Sequence, residues 1–139
     1  MVTSAFDEGR PLGVELSSEE LQAMYLAGHA LFEQGDFRRA ADVFRFMVLV
    51  EPLFAEAWQG LGKCHEELDD TETAALMYEA GFRLGGNDST LGFLCARALA
   101  KTGDSSGARD KLAELAELEL EPHIAAGVQA LQQLVGGAS

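Results

Sequence analysis

The stretch Met24–Pro52, MYLAGHALFEQGDFRRAADVFRFMVLVEP, decides how the whole chain reads. Leu21, Met24, Tyr25, Gly28, Leu31 and Phe32 fall at helical spacing, and Gly35–Asp36 breaks that helix. A second run, Phe37, Ala40, Ala41, Phe44, Met47 and Val48, has the same period, and Pro52 closes it. This helix–turn–helix then recurs. Gly28, Gly62 and Ala96 stand 34 residues apart, as do Ala40, Ala74 and Ala108, and Phe44, Tyr78 and Leu112. The small residues let the two helices of a unit approach closely, while Phe44, Trp58 and Tyr78 fill the space between units. Such a unit cannot bury its apolar face alone, so a fixed period of this length predicts stacked hairpins sharing one core.

Working outward, Ser17 and Glu20 form a capping box ahead of the first helix. The second unit opens near Phe54, carries Trp58, Leu61, Gly62 and Leu68, turns at Asp69–Asp70, and returns through Ala74, Ala75, Tyr78 and Phe82 to Gly85–Gly86–Asn87. The third opens at Asp88 or Ser89, turns at Gly103–Asp104, and ends near Ala116. Glu121–Pro122 starts a last helix whose apolar side is Ile124, Val128, Leu131 and Leu134–Val135. The expected fold is all-α: a tetratricopeptide-repeat (TPR) solenoid of three helix–turn–helix repeats plus a C-terminal capping helix, seven helices with no strands. Residues 1–16 read as an N-terminal arm, either disordered or ordered by a partner such as a second copy. Residues 17–135 read as the repeat domain with its cap, and 136–139 as a tail. The repeat fades in the third unit, where Gly92 replaces the tryptophan and Ser105 the aromatic at the turn. That unit is expected to be the least rigid and to need the terminal helix.

Composition narrows the function. The 139 residues carry 23 Asp+Glu against 10 Lys+Arg, a formal net charge of -13. Nucleic acid and anionic membrane surfaces both call for positive fields, so neither is an expected partner. No apolar run reaches transmembrane length, so no membrane insertion is expected, and the N-terminus lacks a signal-peptide layout. The chain reads as cytoplasmic, with Cys64 and Cys95 as buried reduced thiols.

No catalytic constellation is evident, and the expectation is a non-enzyme without metal or other cofactor. His29, His65 and His123 share no ligand spacing with a cysteine or carboxylate. The acidic stretches Glu66–Asp70 and Glu114–Glu121 read as solvated helix ends and faces. The concave face of the solenoid is the expected site, because a solenoid presents a groove rather than a catalytic cleft. Projecting the register, the first unit offers Gln22, Tyr25, His29, Phe32 and Glu33. The second offers Glu56, Gln59, Lys63, Glu66 and Glu67, and the third Thr90, Phe93, Arg97 and Lys101. Tyr25, Phe32 and Phe93 stand where a purely structural repeat would be polar. They are expected to receive apolar side chains of an extended peptide, with Lys63 and Arg97 holding carboxylates or carbonyls.

With these residues in place the chain resembles the class II chaperones of bacterial type III secretion systems. The likeness lies in the Met24–Pro52 stretch, in GLGKC at Gly60–Cys64, in MYEAGFRLGG at Met77–Gly86, and in three units followed by one helix. The resemblance implies a cytoplasmic, acidic, often homodimeric chaperone without enzymatic activity. Such chaperones hold an extended segment of a translocator protein in the concave groove, preventing aggregation and early membrane insertion before export. By position it implies a peptide site at Tyr25, His29, Phe32, Gln59, Lys63, Glu66, Phe93 and Arg97. The lysine–asparagine clamp of heat-shock co-chaperones is replaced here by Tyr25 and His29, which argues against that TPR function. A generic TPR adaptor or scaffold, or a needle-subunit chaperone of the same machinery, are the alternatives.

Overall fold

The computed structural model describes residues 15–136. Within them lie seven α-helices: α1 (Ser18–Glu33), α2 (Phe37–Val50), α3 (Ala55–Glu67), α4 (Thr71–Leu84), α5 (Ser89–Lys101), α6 (Ser105–Ala116) and α7 (Pro122–Gly136). Each of α1 to α6 packs on the next, α1 also touches α3, and α7 lies against both α5 and α6. The described residues contain no strand. The fold is therefore a TPR solenoid of three units with a terminal cap. Most of the expected arm, 1–14, and the tail, 137–139, lie outside the described residues. Leu16 packs on the first core cluster, and Gly136 closes α7.

The turn inside each unit repeats as faithfully as the core. Asp36, Asp70 and Asp104 cap the second helices, each side chain accepting a hydrogen bond from the backbone N–H three residues on, at 3.3, 3.3 and 2.8 Å. The residue before each cap, Gly35, Asp69 or Gly103, has φ of +82, +61 or +87°. Glycine reaches that left-handed region without strain, and Asp is among the few side-chain residues that tolerate it. The first helix carries the full capping box, with Ser17 and Glu20 exchanging hydrogen bonds. Replacing Asp104 with Ala is expected to cost about 1 kcal/mol, read as a lowered urea midpoint at unchanged slope.

The core forms two clusters. Leu21, Ala40, Phe44, Met47, Ala57, Leu61 and Cys64 anchor the first; Ala74, Tyr78, Phe82, Leu91, Ala96, Leu112 and Leu115 anchor the second. Trp58 packs against both, and its indole N–H donates to the Pro52 carbonyl at 2.7 Å. The small-residue seam has a direct cause at Gly62, where any Cβ would overlap the fully buried Tyr78 ring. The third unit packs as closely as the others. Gly92 lets Phe82 and Leu115 close onto the backbone, and both are 0% exposed.

Three details depart from the expected pattern. On the cap helix, Ile124, Val128, Leu131 and Val135 are buried, but Leu134 is 73% exposed. Lys111, of a residue type rarely buried, is 7% exposed; its ammonium pairs with Glu79 and Glu114 and sits 4.5 Å from the Phe82 ring centroid. Glu114 also receives Arg83, so this carboxylate, read as part of a solvated run, ties α4 to α6. Cys64 and Cys95 are buried free thiols, each pushed up to about 11, chiefly by burial.

Candidate functional site

Helix α1 places Tyr25, His29 and Phe32 at i, i+4 and i+7, and therefore on one face. Helix α3 does the same with Glu56, Gln59, Gly60 and Lys63. The two faces meet around a depression of about 150 Å³, lined by those residues with Glu33 and Phe44. Phe44, 1% exposed, forms the floor. Its ring lies between Gly28 and Gly60, where a Cβ would come within 2.8 and 2.7 Å of ring carbons. Aromatic contacts brace the walls. The Tyr25 ring sits 5.9 Å from both Phe44 and Phe54, and Phe32 meets Phe37 edge-on at 5.1 Å. The Tyr25 and Phe32 rings are partly buried and so present a rigid apolar surface at low entropic cost.

Next to this aromatic half lies a second opening of about 330 Å³, lined by Phe32, Lys63, Glu66, Glu67, Arg97 and Lys101. Phe32 and Lys63 border both, so the two form one continuous groove across α1, α3 and α5. Glu66 is the hub of its charged half. The Tyr78 hydroxyl donates to one carboxylate oxygen, Lys101 Nζ donates to the other at 2.9 Å, and the Arg97 guanidinium stands 3.8 Å away. Burial pushes the Glu66 carboxyl up. The hydrogen bonds from Tyr78 and Lys101, with the charges of Lys101 and Arg97, outweigh it and hold the group below its ordinary value. Burial and the same carboxylate push the Tyr78 hydroxyl strongly upward.

A carboxyl depressed by folding contributes stability that is present above its unfolded value, near 4.3, and lost as pH falls through the folded one. Glu66→Gln is therefore expected to flatten the decline in stability on acidification below about pH 4.3, measured by urea unfolding across that window.

Of the residues expected in the site, Tyr25, His29, Phe32, Gln59 and Lys63 come together around the aromatic depression, and Lys63, Glu66 and Arg97 around the charged one. Phe93 lines neither. Its ring lies against the terminal helix, where a Cβ on Gly127 would stand 3.0 Å from it. Gly60 and Phe44 are the lining residues that the expected register left out. The groove glycine was legible as a small residue one turn after Glu56, but only the position of the Phe44 ring shows why it is small. Among the described residues no cluster of His, Cys, Asp and Glu could hold a metal ion, and no helix is long and apolar enough to cross a membrane.

This geometry, a hairpin solenoid with an aromatic and charged concave groove, is a TPR fold, and residues 25–88 match the tetratricopeptide repeat family model. No curated protein matches the sequence. The fold is that of the class II translocator chaperones of type III secretion. PcrH of Pseudomonas aeruginosa, solved with the chaperone binding region of PopD, is 24% identical with a TM-score of 0.77, covering 88% of this chain and 96% of that one. SycD of Yersinia enterocolitica, solved with a peptide of the translocator YopD, is 19% identical with a TM-score of 0.78, covering 90% and 98%. SycD in an alternative dimer is 21% identical with a TM-score of 0.77, again covering 90% and 98%.

Proposed function

We propose that this protein is a cytoplasmic secretion chaperone that holds an extended segment of a translocator protein in the groove between α1, α3 and α5. The observation that carries the reading is the aromatic depression itself. Tyr25 and Phe32 are partly buried, held by neighbouring rings, and set over a floor that two glycines open to the Phe44 ring. An extended peptide offers alternate side chains to one face, so it can seat an apolar residue there while its backbone runs on toward Lys63 and Arg97. PcrH and SycD, which share the fold, are each described with a translocator segment, and this supports the same class of ligand.

The chaperone acts by masking, without catalysis. It covers a segment that would otherwise aggregate or enter a membrane, while the net charge of -13 keeps the complex soluble. Self-association belongs to the same reading, since SycD forms a dimer. Phe93 supports the groove indirectly, by fixing the cap helix against α5.

Co-purification from the native host tests the proposal. The expected result is a stoichiometric translocator that becomes insoluble when the chaperone gene is deleted. A stably bound needle subunit in its place would redirect the reading to that class of secretion partner.

A further inference from the structure

The geometry points to a sequence requirement in the bound segment: an acidic residue placed about three positions from its apolar anchor, received by Lys63 and Arg97. The inference rests on the groove reading above and deepens it.

The chain has only 10 Lys+Arg, yet three of them, Lys63, Arg97 and Lys101, line one opening of the groove. They face two carboxylates there, Glu66 and Glu67, so this corner is net positive on a protein of charge -13. Glu66 is already occupied. It accepts from Tyr78 and from Lys101, and Arg97 at 3.8 Å lies beyond hydrogen-bond reach of it. Arg97 Nε is buried without an acceptor, although 40% of the side chain is exposed. Lys63 is exposed, with no ion pair among the described residues. Two cations thus retain unused donors at the edge of the aromatic depression. A carboxylate there would meet charge-assisted donors and satisfy a desolvated N–H.

Register follows from the same layout. Elsewhere the acidic surface repels a carboxylate, so an acidic residue would be welcome at this corner and penalised when the peptide slips. Phe32 stands on α1 and Lys63 on the adjoining α3, one helix step away. Packed helices lie roughly 8–10 Å apart, and an extended chain advances about 3.3 Å per residue. One helix step therefore corresponds to about three residues of peptide.

A displayed library of short random peptides panned on the intact chain tests this. The expected outcome is an apolar anchor with Asp or Glu enriched about three positions away. In the best peptide, changing that acid to its amide should weaken binding about tenfold, measured by fluorescence anisotropy. Lys63→Gln, at an exposed position that leaves the fold unaffected, should lower affinity for the acidic peptide and remove most of the difference between acid and amide. Enrichment of an apolar anchor alone, or equal affinity for acid and amide, overturns the acidic requirement and leaves the groove reading standing. Retention of no peptide overturns both.

Discussion

Phe44→Ala is expected to destabilise the chain by roughly 3–5 kcal/mol, the largest loss for any single truncation near the groove. The ring is 1% exposed and lies between backbones of two different units, at Gly28 and Gly60. Glycines cannot move inward to fill the space, because they have no side chain to repack, so the cavity persists and its full cost is felt. A domain of this size has only about 5–15 kcal/mol to lose. The variant should unfold at a much lower urea concentration, and its first cluster should exchange amide hydrogens faster. Leu53→Ala serves as the control: Leu53 is 68% exposed, and the change is expected to stay within about 0.5 kcal/mol. A Phe44→Ala loss below about 1.5 kcal/mol would mean the first two units are not held together through this ring.

The second large effect is on binding. Tyr25→Ala with Phe32→Ala is expected to weaken binding of the translocator segment at least about 100-fold, since buried aromatic anchors typically carry 2 kcal/mol or more each. Both side chains are only partly buried, and the rings that brace them, Phe54 and Phe37, remain. The helical content should therefore survive and the loss should appear in affinity rather than folding. Calorimetry with circular dichroism on the same samples separates the two. Unchanged affinity in a folded double variant would move the binding surface elsewhere.

The repeat was legible because it is written in backbone requirements. A left-handed turn residue, an aspartate cap and a small seam residue recur at Gly35–Asp36, Asp69–Asp70 and Gly103–Asp104, and at Gly28, Gly62 and Ala96. Each is fixed by local sterics that a sequence states directly. Other features depend on which element happens to lie opposite. Phe93 occupies the position of a groove residue, but α7 covers it, and no repeat period records where a terminal helix docks. Leu134 follows the apolar spacing of α7 yet points to solvent, since the buried stripe through Ile124, Val128, Leu131 and Val135 is already complete. Glu66 and Glu114 looked like surface charges because pairing across helices leaves no mark on the spacing. Their partners, Tyr78 and Arg83, come from another helix.

The central claim is that the segment lies along the concave face, over Phe32 and Lys63. A photo-crosslinking residue at His29, exposed on the groove rim, tests it most directly when compared with the same residue at Leu76, 63% exposed on α4 and away from the groove. In the complex purified with its translocator, position 29 should crosslink to one short translocator segment and position 76 should not. Crosslinking from position 76 with none from position 29 would contradict the account.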